Sequence, residues 1–220
     1  MAMGASGPAD EVPEADPREH WAYHAPVASA GTLDELLEAR RAEKGVKALG
    51  QVAPGLWLRR GSLELIGLPP TVAELRSFEK EMANTADPRA VRARVVERLL
   101  ASPQYGERWA RHFMDIWRYS DWYGLGEQMR YSHKHLWHWR DWMVESLNAD
   151  KGYDEMVTQM LAADELDPQD TANLRATGFL ARSYYLFNRT TWLDATIEHT
   201  SRAFLGLTMQ CVKCHDHKYD

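Results

Sequence analysis

The sequence predicts an all-α protein, a single helical domain of about seven or eight helices with an extended N-terminal tail. Apolar residues recur at helical spacing along most of the chain, and the period-two alternation of half-buried strands is nearly absent. Of the 220 residues, 45% are hydrophobic, which is enough to bury the core of one large domain. We expect the tail over residues 1–30, where Pro, Gly, Ala and acidic residues dominate, and the helical domain over residues 31–220.

Helix start signals stand out in the first part of the chain. The segment GTLDELLEARRAEKG predicts a helix that is capped by Thr32 and ended by Gly45. A short apolar segment and a Pro-Pro turn follow, and then Thr71 and Glu74 form a capping box for the next helix.

Two further helices are expected to begin at a capping residue followed by proline. Asp87 precedes Pro88, which suits the first helical position, and this helix carries an apolar stripe. The segment SPQYGERWARHFMDIWRYSDW starts in the same way and is expected to stay helical to about Ser120. The stripe of the earlier helix comprises Val91, Val95 and Leu99.

The second half of the chain continues the helical pattern. SHKHLWHWRDWMVESLNADKG carries one apolar stripe before Asn148 and Gly152 end it, and YDEMVTQMLAADEL and TANLRATGFLARSYY predict further helices. That stripe comprises Leu136, Trp139, Met143 and Leu147.

The last helix is predicted to bring the first cysteine to the edge of the core. In TTWLDATIEHTSRAFLGLTMQC the apolar positions step by four and three residues up to Cys211. If the helix continues through Gly206, Cys211 lies on the face that packs inward. The stripe comprises Leu193, Ile197, Thr200, Phe204, Leu207 and Cys211.

Charge and composition exclude several classes of protein. The 26 basic and 32 acidic residues argue against a nucleic-acid-binding protein, which normally has a basic face. No apolar run approaches the ~18 residues that a transmembrane helix needs. The two cysteines lie too close together for a disulfide framework.

Both cysteines belong to the motif Cys-x-x-Cys-His, formed by Cys211, Cys214 and His215. This is the attachment sequence of a c-type haem. Two thiols one helical turn apart add to the two vinyl groups of the porphyrin, and the following imidazole becomes the proximal ligand of the iron. The motif therefore predicts one covalent haem c.

Other chemistries of the same residues remain open. Zinc could bind Cys211, Cys214, His215 and His217, but four ligands within seven residues strain a tetrahedral site. A thioredoxin-like pair is preceded by a strand, whereas a helix is expected here. A disulfide or two unreactive thiols are the remaining interpretations.

Several segments in the same order make the chain similar to a known family, the planctomycete-type secreted cytochrome c-like domains of unknown function. The resemblance covers about residues 55–220, and HWAYHAPV is similar to a segment that often precedes the family domain. The segments that carry it are LELIGLPPTVAEL, RLLASPQYGERWARHFMDIWRYSD, WRDWMVESLNADKGYDEMVTQMLAADEL, ATGFL and AFLGLTMQCVKCHDHKYD.

The resemblance implies a cofactor and a compartment but no reaction. Cys211, Cys214 and His215 correspond to the haem attachment site of that family. Members are exported and continue into a further large domain. We therefore expect a periplasmic or secreted protein whose signal peptide has been removed, a chain truncated at its C-terminal end, and a redox partner protein or further domain.

Arginines of the segment ERWARHFMDIWRYSD are candidates for binding the haem propionates, because a guanidinium matches a carboxylate. They are Arg108, Arg111 and Arg118. The alternative is an amphipathic helix with Glu107–Arg111 and Arg111–Asp115 ion pairs on its surface.

Histidines supply the candidates for the distal iron ligand: His112 in the same helix, and His133, His135 and His138 in SHKHLWHW. His135 and His138 are one turn apart, so both could face one site. Surface or capping positions are the alternative. Met209 and His217 lie too close to the motif to reach the distal side, and Asp216 and His217 are candidates for orienting His215.

Three functions follow from these features. The first is electron transfer by a c-type cytochrome domain. The second is a haem enzyme with an open distal site, in which His112 and an arginine act as acid/base and charge-stabilising groups. The third is a haem-free helical binding module with an aromatic groove.

Overall fold

The fold is all-α, as the sequence predicts. The computed structural model describes residues 19–20, 24–121, 135–184 and 188–216, and within these ranges it contains helices and no strand. Eight of the helices have 11 to 14 residues. The α-helices are α1 (Leu33–Glu43), α2 (Pro54–Ile66), α3 (Val72–Asn84), α4 (Pro88–Leu100), α5 (Pro103–Ile116), α6 (Trp137–Asn148), α7 (Tyr153–Leu166), α8 (Thr171–Leu174), α9 (Gly178–Ala181) and α10 (Arg189–Thr200).

The chain divides into two compact units, and the larger comprises residues 51–216. Every described residue of 24–50 is exposed, so α1 has no buried face. The predicted domain bounds, a tail over residues 1–30 and a domain over residues 31–220, stay predictions.

The helix ends of α1 and α3 follow the predicted capping chemistry. The Thr32 Oγ1 accepts a hydrogen bond from the Glu35 backbone at 3.3 Å, and the Glu35 carboxylate accepts one from the Thr32 backbone at 2.7 Å. Thr71 and Glu74 make the same pair of contacts at the start of α3. These boxes satisfy backbone N–H groups that a helix start leaves free.

A small apolar core joins α2, α3 and α4. Leu58, Phe78 and Val91 are its buried residues, and Trp57 stacks on Phe78 with ring centroids 5.6 Å apart. Helix α2 is longer than the short apolar segment expected from LELI, because it begins at Pro54. It ends at Gly67, whose φ of +73° suits a residue without a Cβ.

The larger core is built mainly by α5, α6 and α7. Ala110, Trp139, Trp142, Met143 and Met160 are among its buried residues. The predicted stripe of α6 is confirmed, since Leu136, Trp139 and Met143 are buried and Leu147 packs against them.

Helices α5 and α6 approach closely at Gly106. The Asn148 side chain accepts a hydrogen bond from the Gly106 N–H at 2.8 Å and donates one to the Pro103 carbonyl at 3.0 Å. A Cβ at Gly106 would collide with the Val144 carbonyl and would lie 2.7 Å from the Asn148 side chain. The glycine is therefore required by the packing of the two helices.

Two predicted helices are shorter than expected. Helix α5 ends at Ile116 rather than near Ser120, because Arg118 adopts a left-handed conformation (φ +59°) and the Tyr119 N–H bonds back to the Met114 carbonyl at 2.8 Å. The segment TANLRATGFLARSYY is divided into α8, a 3₁₀ turn over Arg175–Thr177, and α9.

A polar cluster lies beside the large core at the start of α7 and α8. The Lys151 ammonium donates to Gln159 Oε1 at 2.8 Å and to Asn173 Oδ1 at 2.7 Å, and it lies 5.3 Å from the centre of the Trp142 ring. The Trp142 indole also donates to Asn173, at 3.2 Å. These contacts satisfy polar groups that the core would otherwise leave unpaired.

Candidate functional site

The chain reaches the cysteines through a change of helical winding. Helix α10 begins after Asn188, whose side chain accepts from the Thr191 backbone, and it continues as a π-turn over Ser201–Leu205. The Gly206 N–H bonds to the Ser201 carbonyl, and Gly206 then ends the helix with a φ of +68°. A π-turn inserts one extra residue and so rotates all that follows relative to an α-helix.

The prediction that Cys211 packs inward is wrong. It assumed a continuous helix through Gly206, whereas the helix ends there. Leu193 and Ile197 are also exposed, while Phe204 packs against Phe179 of the large core with ring centroids 5.2 Å apart. The π-turn explains why Phe204 and the two earlier apolar residues face different directions.

The two cysteines lie at the start and just past the end of one 3₁₀ turn, Cys211–Lys213. The Cys214 N–H bonds to the Cys211 carbonyl at 3.1 Å. Both side chains are exposed and both are free thiols. They are therefore accessible to a reagent or a cofactor and lie one turn apart, as the motif requires.

His215 is exposed, and its ring is oriented by the backbone. Its Nδ1 lies 2.8 Å from the Asp216 carbonyl oxygen. A carbonyl oxygen can only accept, so in the neutral imidazole Nδ1 carries the proton and Nε2 carries the lone pair. Asp216 thus orients the imidazole, as expected, although through its carbonyl and not its carboxylate. His217 lies outside the described residues.

Lys213 connects the motif to α10. Its ammonium forms an ion pair with the Asp194 carboxylate, and both side chains are largely exposed. The hydrogen bond to Asp194 raises the pKa of Lys213 above its usual range. This contact shows that the turn with both cysteines lies beside the outer surface of α10.

The three candidate arginines have different environments. Arg108 is half-buried, with its Cδ 3.0 Å from the place where a Cβ at Gly67 would lie. Arg111 forms an ion pair with Asp115 on the exposed face of α5, the alternative that the sequence allowed. Arg118 lies against the ring of His199. Their predicted role in binding propionates stays a prediction.

Sequence reasoning missed His199. Burial and, after it, the positive charge of Arg118 lower the pKa of this imidazole to about 4. Arg118 precedes His199 by 81 residues, and nothing in the segment TIEHT points to such a partner. Only the packing of α10 brings the two side chains together.

The candidate distal histidines fall into two groups. His112 is exposed on α5, and its ring centroid lies 5.4 Å from that of Trp109. His135 and His138 line one cleft, with ring centroids 6.0 Å apart, and His138 stacks on Trp137. His133 lies outside the described residues. The role of His112, His135 and His138 as iron ligands stays a prediction.

The cleft beside His135 and His138 has a volume of about 530 Å³ and mostly apolar walls. Trp139 lines it, and its buried indole nitrogen has no hydrogen-bond partner among the described residues. Arg175 also lines it and holds Glu145, lowering the pKa of that carboxyl through a hydrogen bond. The other residues of the wall are Leu136, Thr171, Leu174, Gly178 and Ala181.

The described residues contain no preformed metal centre. Within the described ranges, no three side chains of the His, Cys, Asp and Glu types come together closely enough to hold a metal ion. None of the described helices is both long enough and apolar enough to cross a membrane.

The model of the PSCyt2 family, described as a protein of unknown function (DUF1549), matches residues 32–220. The matched range begins at the capping residue of α1 and includes α1 to α10 and the Cys-x-x-Cys-His motif. No curated protein and no solved structure matches the chain significantly.

Proposed function

Since the chain belongs to the PSCyt2 family of proteins of unknown function (DUF1549), we propose a function from its own residues: it is a c-type cytochrome domain that holds one covalent haem and transfers electrons. One observation carries the proposal. Two free, exposed thiols lie one turn apart and are followed at once by an exposed histidine.

The donor set fits the cofactor. When bound, haem supplies an iron that gains and loses one electron reversibly. Each thiol, at Cys211 and at Cys214, adds across one vinyl group: a C–S bond forms to one vinyl carbon, the thiol hydrogen goes to the other, and nothing leaves. The thiols must be reduced for this addition, and both are free.

The orientation of His215 supports the same assignment. Because Nδ1 donates to the Asp216 carbonyl, Nε2 presents its lone pair away from the backbone. A neutral imidazole in this tautomer is a good ligand for haem iron. Arg108, Arg111 and Arg118 remain candidates for the propionates, and His112, His135 and His138 for the distal position.

The chemistry also bears on location and partners. Covalent haem attachment through this type of motif is expected on the export side of the bacterial membrane, so we place the domain in the periplasm or outside the cell. A one-electron carrier needs a donor and an acceptor. We expect these to be a redox partner protein or a further domain of a longer chain.

The proposal is tested by producing the protein in the periplasm with a cytochrome c maturation system. The visible spectrum should show a Soret band with sharp α and β bands on reduction, and the intact mass should include one haem. The double variant Cys211→Ser, Cys214→Ser should keep its helical circular dichroism, because both side chains are exposed, and should carry no covalent haem. A folded, colourless parent at the mass of the bare chain would overturn the proposal.

A haem-free binding module is the second candidate, and the cleft of about 530 Å³ favours it. Its volume is in the range of small-molecule sites and its walls are mostly apolar, but it is wide open to solvent. This candidate predicts a stable protein that needs no haem or metal. The electron carrier and a haem enzyme with an open coordination position are distinguished by carbon monoxide, which binds rapidly only to the latter.

A further inference from the structure

We propose that the haem attached at Cys211 and Cys214 packs against the outer surface of α10, formed by Leu193 and Ile197. The inference rests on the proposed function and identifies the protein surface that covers the ring. We call these two residues the α10 surface.

The α10 surface is apolar and uncovered. Leu193 is 42% exposed and Ile197 is 54% exposed, and no residue of α10 is buried. Residues four apart lie on one face of a helix, so the two side chains form a continuous patch. A core-facing helix would bury these residues, whereas here Phe204, within the π-turn, reaches the core.

The motif lies beside this patch. Lys213 stands between the two cysteines, and its ammonium contacts the Asp194 carboxylate. Asp194 follows Leu193 directly and precedes Ile197 by three residues. At about 100° per residue, all three side chains project within about 100° of one another. The ion pair therefore shows that the turn with both cysteines lies beside the α10 surface.

The physical reason is the apolar character of the porphyrin ring. A ring held by two exposed thioethers would be bathed in water unless a neighbouring surface covers it, and apolar burial is favourable. Because the covalent links keep the ring near the motif, an apolar patch beside the motif can cover it without further loss of translational freedom. Solvent exposure is also one of the factors that set the potential of a haem.

The inference is tested with the holo-protein, the single variants Leu193→Asp and Ile197→Asp, and the double variant. The control is Ile116→Asp on α5, because Ile116 is 52% exposed and matches Ile197. We expect one haem by mass in every protein. The double variant should shift the reduction potential to a more negative value and lose at least half of the Soret circular dichroism, while the control keeps the parent values.

The haem-free proteins complete the test. Each single variant should then lose about as much thermal stability as the control Ile116→Asp, because Leu193, Ile197 and Ile116 are each about half exposed. Variants with the parent potential and Soret dichroism would overturn the inference and leave haem attachment standing. A parent without haem would overturn both. A dimer, with or without haem, that the double variant converts to a monomer would assign the surface to a second copy of the chain and also overturn it.

Discussion

A single contact with the backbone sets the tautomer of the neutral His215 imidazole. The Asp216 carbonyl holds the proton on Nδ1, and the lone pair on Nε2 is available to a metal. The thiols of Cys211 and Cys214 differ from this imidazole. They must be accessible to the cofactor and correctly spaced, but they need no such orienting contact. Ligation and attachment should therefore be separable by mutation.

We expect His215→Ala to keep the haem and change its spectrum. If the domain carries haem as proposed, the two thioethers would still hold the ring, and the intact mass should include one haem. Without the proximal imidazole the iron should become high-spin, which broadens the reduced α band and shifts the Soret band. The control His24→Ala, an exposed histidine in the smaller unit, should leave the spectrum unchanged. An unaltered spectrum for His215→Ala would exclude this residue as the ligand.

His199 makes stability depend on pH. Its pKa is lowered to about 4 in the folded state by burial and, next, by Arg118, from an ordinary value of 6.5. Between these pH values the unfolded chain binds more protons than the folded one. The contribution of His199 is complete above pH 6.5 and is lost as the pH falls towards 4.

The measurement is the urea unfolding free energy at pH 7 and at pH 5. The parent should lose stability at the lower pH, and His199→Gln should lose less. His24→Gln should behave like the parent. Equal losses in all three proteins would contradict the assignment.

At the scale of helices, two glycines act for different reasons. Gly106 lies where α5 meets α6 and leaves no room for a Cβ, while Gly206 has nothing within 4 Å of its would-be Cβ and matters for its backbone conformation. Gly106 is needed because the two helices pack closely there, and Gly206 is needed because its φ is left-handed.

Gly106→Ala should lower the free energy of unfolding by about 2 kcal/mol, as overpacking does. The new methyl group would press on the Val144 carbonyl and on Asn148, whose hydrogen bonds join α5 to α6. Gly61→Ala on α2 is the matched control, because its Cβ would meet nothing within 4 Å. That change should stabilise by up to about 1 kcal/mol through helix propensity. Equal effects in denaturant unfolding would show that the contact is not tight.

Gly206→Ala should cost about 1 kcal/mol, because an L-residue is strained at a φ of +68°. Asparagine tolerates this conformation better, so Gly206→Asn should cost less. Unfolding in urea measures both changes. If the alanine variant were as stable as the parent, the left-handed end of the helix would not hold in solution.

For the whole molecule, the buried core belongs to the larger unit. Both apolar clusters consist of residues between 51 and 216. All described residues of 24–50 are exposed, and this includes the residues of the capping box of α1. Folding of the larger unit should therefore not need the smaller one.

Deletion of residues 1–50 should change the free energy of unfolding by no more than about 0.5 kcal/mol, the range of surface changes. Thermal and urea unfolding of the shortened chain, compared with the full chain, measure this. A loss of cooperativity or of several degrees in melting temperature would mean that the first 50 residues contribute to the core.

Local chemistry made much of the fold predictable. The cap at Thr32, the capping box at Thr71, the Asp87–Pro88 start and the stripe of α6 depend on residues within one or two turns of each other, and all are confirmed. The early end of α5 was not predictable, because Arg118 is an unusual residue in a left-handed conformation. The start of α2 was missed because its Pro54 has no capping side chain before it.

The candidate site likewise combines features that the sequence predicts with features that only the tertiary structure shows. Sequence by itself determined the all-α class, the spacing of Cys211, Cys214 and His215, and hence the haem hypothesis, because these features depend on neighbours along the chain. Tertiary structure alone decided that the cysteines are exposed and held near α10, that Arg118 meets His199, and that His135 and His138 share a cleft. Those facts depend on a π-turn and on contacts between distant segments, whose energies no local pattern reveals.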